Sequence, residues 1–110
     1  MELIERVCQL MENERLYLRN DLKLQDVAVH LNTNSSYVSE CINGVRSQSF
    51  SQFVNTYRVR HAQNLLRQQP DMKTATVASN SGFSSEVSFF RNFKAVTGMT
   101  PREWVGSLQG

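Results

Sequence analysis

The chain has 110 residues, 40% of them hydrophobic and 20% charged, which suits one small domain and is too apolar for a disordered segment. No apolar run approaches the roughly 20 residues of a membrane span, no secretory leader opens the chain, and Cys8 and Cys41 sit inside helix patterns, so a reducing cytoplasm fits best. The net charge of +2 hides a gradient: residues 1–26 carry six acids against four bases, residues 27–110 four against eight, and no acid lies between Glu40 and Asp71. A polyanion would be drawn to that later part, although ordinary surface charge has the same appearance.

Taken in chain order, the hydrophobic periodicity predicts an all-α fold of seven helices. Leu3, Ile4, Val7, Cys8, Leu10 and Met11 stripe a first helix, which a polar stretch over residues 13–21 ends. Leu24, Val27, Ala28 and Leu31 mark a short second helix. After the turn at Asn32-Thr33-Asn34, with Asn34 or Ser35 as cap, a third helix turns Val38, Cys41, Ile42 and Val45 inward. A long fourth helix over residues 49–68 would reach about 30 Å. Its first half presents Phe50, Phe53, Val54 and Tyr57, whereas Val59, Ala62, Leu65 and Leu66 occupy a rotated face in its second half. A helix that changes its buried face midway packs against two bodies. Pro70 and Asp71 stop it, a fifth helix runs from Thr74, and Gly82 is placed for a turn with positive φ, with Phe83 plugging the gap beside it. The sixth helix, from about Ser85, buries Phe89, Phe93 and Val96 and ends at Gly98. Thr100-Pro101-Arg102-Glu103 is a capping box with proline at the first helical position, opening a last helix that holds Trp104, Val105 and Leu108.

The pattern is a repeat. Residues Asp21 to Ala28 return fifty positions later as Asp71 to Ala78, and after one extra residue Val38, Ile42, Val45 and Phe53 match Phe89, Phe93, Val96 and Trp104. Each copy reads as helix, turn, helix, the form of a helix-turn-helix unit. The chain thus divides into a first unit over 1–48, a connector helix over 49–68 and a second unit over 69–110. In both units a lysine, Lys23 or Lys73, stands at the likely cap of the short first helix. There its charge opposes the helix dipole unless an anion binds, the side chain extends into water, or Asp21 and Asp71 cap instead.

These residues resemble the AraC-type transcription regulators over nearly the whole chain, from about Leu3 to Trp104. The likeness is densest in Ser81-Gly82-Phe83-Ser84-Ser85, Phe89-Phe90-Arg91-Asn92-Phe93-Lys94 and Thr97-Gly98-Met99-Thr100-Pro101, and Tyr57-Arg58 with Ala62 and Leu65-Leu66 fits the connector. The first unit departs from the family pattern, with Ile42-Asn43 in place of a Phe-Lys pair and Ser47 where glycine usually precedes the connector. The resemblance implies two recognition helices in successive major grooves of double-stranded DNA, and activation through RNA polymerase. It also implies an effector or sensor portion that this chain lacks. The start within a helix pattern at Met1-Glu2 favours a piece of a larger regulator over a stand-alone member.

Base reading needs polar side chains on the outward face of the inserted helix. In the third helix, the positions matching the family's reading sites are Ser36, Ser39 and Glu40. Glu40 would accept from a cytosine amino group, or alternatively cap or pair with Arg46. In the sixth helix Glu86, Val87, Ser88 and Arg91 face outward, with Arg91 suited to bidentate recognition of guanine, or to a phosphate, and Val87 to a thymine methyl. Ser35, Asn43, Arg46, Lys73, Ser84, Ser85 and Lys94 are expected at phosphates, the serines doubling as caps. Arg58, on the packed side of the connector, reads as a structural ion-pair partner. Two rival functions are weighed. Catalysis finds no support, since His30 and His61 fall in no nucleophile or metal arrangement, and neither a cofactor nor a metal is expected. A helical protein-interaction module without DNA binding draws support from Glu40 and Glu86 on the presumed reading faces.

Overall fold

A computed structural model describes residues 2–108. Its elements run α1 (Leu3–Glu14), a single 3-10 turn (Leu16–Leu18), α2 (Leu24–His30), α3 (Ser35–Arg46), α4 (Phe50–Gln68), α5 (Thr74–Asn80), α6 (Glu86–Thr97) and α7 (Pro101–Ser107). Among the described residues all regular structure is helical, and no helix is long and apolar enough to cross a membrane.

The repeat is written into two separate cores. The first gathers Val7, Met11, Val27, Ala28, Val38 and Ile42 with Phe53 and Val54 from the early part of α4. The second gathers Val59, Ala62 and Leu66, from later in α4, with Val77, Ala78, Phe83, Phe89, Phe93 and Trp104. The two apolar faces of α4 therefore serve one core each, as its change of face predicts. Caps set the ends. Ser49 and Gln52 form a capping box at the start of α4, with Gln52 N–H to Ser49 Oγ at 3.1 Å and Ser49 N–H to Gln52 Oε1 at 2.9 Å. Thr100 and Glu103 repeat it at α7, at 3.2 and 2.9 Å, and the donors of Thr100 hold the Glu103 carboxyl below its usual range.

Three expectations need correction. The polar stretch that ends α1 holds an element beyond the seven helices expected: Leu16 is buried and the 3-10 turn at Leu16–Leu18 packs against α4. Val45 and Val96 are 59% and 45% exposed rather than inward. Each sits in the last turn of its helix. Among the described residues Arg58 has no ion-pair partner. It instead donates from Nε to the Tyr17 carbonyl at 2.7 Å, from Nη2 to the Arg19 carbonyl at 2.7 Å and from Nη1 to Asn55 Oδ1 at 3.0 Å.

That arginine belongs to a joint between the units. Tyr17 stacks on Tyr57 at 5.6 Å and meets His61 edge-on at 6.1 Å. His61 Nδ1 lies 3.1 Å from Oγ of the fully buried Ser81. Burial first, and Arg15 second, lower the His61 pKa and so favour its neutral form. Gly82 closes the joint: its φ is +90°, and a Cβ there would stand 2.3 Å from the Tyr17 carbonyl oxygen and 2.9 Å from Leu18 Cα.

The departure at Ser47 also has a visible cost. Ser47 ends α3 at φ 55°, ψ 38°, the left-handed region that Gly98 occupies at the end of α6 with φ 79°. A Cβ at Gly98 would meet nothing within 4 Å, so backbone conformation is the reason for glycine there. Ser47→Gly is therefore expected to stabilise the chain by about 0.5–1 kcal/mol, the relief of left-handed strain outweighing the added freedom of the unfolded state. Urea unfolding would show this as a higher midpoint at unchanged slope; a lower midpoint would contradict it.

Candidate nucleic-acid interface

The helices α3 and α6 are built alike. Asn34 Oδ1 accepts from the N–H of Tyr37 at 3.0 Å to start α3, and Ser85 Oγ accepts from the N–H of Ser88 at 3.1 Å to start α6. Of the two caps left open for α3, the structure selects Asn34. Val38 and Ile42 anchor α3, and Phe89 and Phe93 anchor α6, all with no exposed surface. At about 100° per residue, the position two beyond Val38 or Phe89 points almost directly away from the core. Those positions are Glu40 and Arg91, both exposed.

Around them on α3, Ser36, Ser39, Asn43 and Arg46 are exposed, and Arg46 Nη2 lies 3.4 Å from Cys8 Sγ. Ser35 is half-buried and donates to Gln25 Oε1 at 2.6 Å. On α6, Glu86, Val87 and Lys94 are exposed, Val87 by 71%. Glu86 Oε2 accepts from Thr74 Oγ1 at 3.0 Å. Ser88 is the least open of the expected readers: it is half-buried, with its carbonyl accepting from Asn92 Nδ2 at 2.8 Å. Ser84 is exposed beside the cap. The bonds Ser35–Gln25 and Glu86–Thr74 tie the first turn of each outward-facing helix to the helix before it. Ten or more residues separate the partners, so helical spacing alone gives no sign of them.

Lys23 and Lys73 are the N-cap residues of α2 and α5, and neither supplies a side-chain acceptor. Asp26 Oδ2 accepts from the N–H of Lys23 at 2.9 Å, and Asp21 pairs with Arg19 at 3.3 Å rather than capping. Among the described residues Arg19 is the only base within 4.0 Å of a carboxylate, so Glu40 does not pair with Arg46, and Arg91 and Lys94 have no carboxylate within that distance. One exposed aromatic was not anticipated. Tyr37, 60% exposed, stands on the flank of α3 beside Ser36. Phe90 is 39% exposed, with its ring 5.6 Å from that of Phe89. The molecule extends 44 × 23 × 22 Å, so its long axis exceeds the roughly 34 Å of one turn of B-DNA.

The sequence profile of the helix-turn-helix domain family matches residues 27–107. A Staphylococcus aureus protein, an uncharacterized HTH-type transcriptional regulator, is 32% identical over 103 residues, which are 94% of this chain and 13% of that protein. The chain thus spans a small part of the length of such relatives. Among solved structures, the C-terminal domain of AraT, a response regulator from Geobacillus stearothermophilus, matches with TM-score 0.83 at 23% identity, over 97% of this chain and 86% of that one. The DNA-binding domain of AdpA, a global transcriptional factor solved in complex with a target DNA, matches with TM-score 0.77 at 21% identity, over 97% and 92%. At these identities the structural likeness is one of fold.

Proposed function

Because the chain belongs to the AraC-type helix-turn-helix family of DNA-binding transcription regulators, we propose that α3 and α6 enter successive major grooves on one face of a duplex and read two different blocks of sequence. The observation that carries this is the pair Glu40 and Arg91: equivalent places on two equivalent helices, both exposed, with opposite charge. A carboxylate accepts from the amino group of cytosine, whereas a guanidinium donates to O6 and N7 of guanine. Ser36 and Ser39 adapt to either kind of base edge beside Glu40. Glu86, Val87 and Ser88 flank Arg91, with Val87 against a thymine methyl. Ser35, Asn43, Arg46, Lys73, Ser84, Ser85 and Lys94 serve phosphates.

On this reading the chain is a binding module and not an enzyme. It works in the cytoplasm as the DNA-binding part of a larger regulator, activating through RNA polymerase. Selection from a randomised duplex library is the test. Two enriched, dissimilar blocks about 10 base pairs apart are expected. Arg91→Ala should relax one block and weaken binding to the selected site by about 1–3 kcal/mol, roughly 5- to 150-fold. Absence of enrichment, together with no salt-sensitive affinity for any duplex, would transfer the assignment to a protein-interaction module.

A further inference from the structure

We propose that Arg58 is a positioning residue that sets the distance between the two blocks of DNA the protein accepts; the proposal rests on the two-block reading above. Two recognition helices on one chain select a spacing only if the bodies that carry them are held at one angle. The connector α4 holds one core at each end, and a continuous helix fixes their separation along its axis. Rotation and tilt about that axis need a contact off it.

Arg58 supplies that contact. From α4 its planar fork binds two carbonyls of the segment after α1, those of Tyr17 and Arg19, each at 2.7 Å, while Asn55 Oδ1 fixes the fork from behind at 3.0 Å. The Tyr17 carbonyl so held is the group that Gly82, in the turn between α5 and α6, abuts. The Tyr17 carbonyl is thus bonded to the connector and at the same time abuts the turn that launches α6. His61, also from α4, reaches Ser81 of the same turn at 3.1 Å and meets the Tyr17 ring edge-on. Contacts from both units therefore converge on one residue of the 3-10 turn, and Arg58 decides where that residue lies.

The chemistry requires arginine. A guanidinium spans two carbonyls with directed N–H groups, whereas an ammonium is a point donor that cannot hold both in one geometry. B-DNA turns by about 34° per base pair, so moving one block by two base pairs rotates it by roughly 70°. A rigid joint is intolerant of that change. A loosened one accepts several spacings, because a second head on a flexible tether has a similar effective concentration at each.

The test uses the selected blocks placed at centre-to-centre spacings of about 8 to 13 base pairs around one helical turn. Affinity of the wild type, Arg58→Gln and Arg58→Lys is measured for each duplex and for duplexes carrying one block alone. The wild type should prefer one spacing by about 10-fold over those two base pairs away, and both variants should reduce that ratio to about 3-fold or less. Their single-block affinities should stay within about twofold of wild type. Arg58→Lys keeps the positive charge, so the same flattening in both variants excludes loss of a phosphate contact as the cause. Thermal unfolding by circular dichroism identifies any variant that has not folded, and Arg58→Lys, the milder change, then bears the comparison. Weaker binding by an equal factor at every spacing would overturn the proposal, leaving Arg58 a contributor to stability alone. A wild type that selects blocks but is indifferent to spacing would overturn it too, and one that selects no duplex would remove the two-block reading itself and the proposal with it.

Discussion

Gly82→Ala is expected to destabilise the protein by about 3 kcal/mol or more, enough to lower the melting temperature by roughly 10 °C or more in a domain of this size. Two penalties coincide at that position. The φ of +90° is one that L side chains rarely adopt, and the added Cβ would lie 2.3 Å from the Tyr17 carbonyl oxygen. Neither neighbour can yield by rotating a side chain, because both Tyr17 O and Leu18 Cα are backbone. Relief would require moving the 3-10 turn away from the connector, and the two Arg58 bonds at 2.7 Å oppose that movement. Gly106→Ala is the control. Gly106 lies inside α7, and a Cβ there meets nothing within 4 Å. Alanine should be neutral or slightly stabilising at that helical position, by up to about 1 kcal/mol. Thermal unfolding of both variants decides the matter, and equal losses would show that close approach at Gly82 is not what sets its cost.

The same joint marks the boundary of what the sequence discloses. Regular features are legible because they repeat at short range. The apolar stripes give Val38, Ile42, Phe89 and Phe93 as buried, and the capping box from Thr100 to Glu103 opens α7 as its residues predict. The outward face of each recognition helix follows from the same periodicity, so Ser36, Ser39, Glu40, Val87 and Arg91 are all exposed as the spacing predicts. Long-range contacts leave no such trace. Arg58 registers in the sequence as a charge on a packed face, and its carbonyl partners 39 and 41 residues away are set by the fold. Gly82 announces a turn, but not that the backbone of Tyr17 presses on it. The turn at Leu16-Tyr17-Leu18 is too short to develop a period and is surrounded by polar residues, so it reads as loop. Val45 and Val96 mislead in the opposite way. Their period is that of buried residues, but burial depends on what lies opposite as much as on spacing.

Phe89→Ala should have a comparably large effect on a different property, the independence of the two units. Phe89 is wholly buried, with its ring 5.4 Å from Phe83, 5.6 Å from Phe90 and 5.6 Å from Phe93, which meets Trp104 in turn at 5.8 Å. Truncating a buried phenylalanine costs about 3–5 kcal/mol, the lost transfer free energy together with a cavity that rigid rings cannot collapse into. A domain of this size has in total about 5–15 kcal/mol of stability. Phe83, Phe89, Phe93 and Trp104 all belong to the second core, and the first core shares none of its buried members. The loss should therefore fall on one unit. Amide hydrogen exchange is expected to show α5, α6 and α7 losing protection while α2 and α3 keep most of theirs, as for a cooperative unit that opens below the global free energy. In the duplex selection, the block read by α6 should disappear while that read by α3 remains, weakly bound. If α3 instead loses protection in step with α6, the joint at Tyr17, Arg58 and Gly82 couples the cores strongly enough that they unfold as one. The connector would then transmit stability as well as orientation.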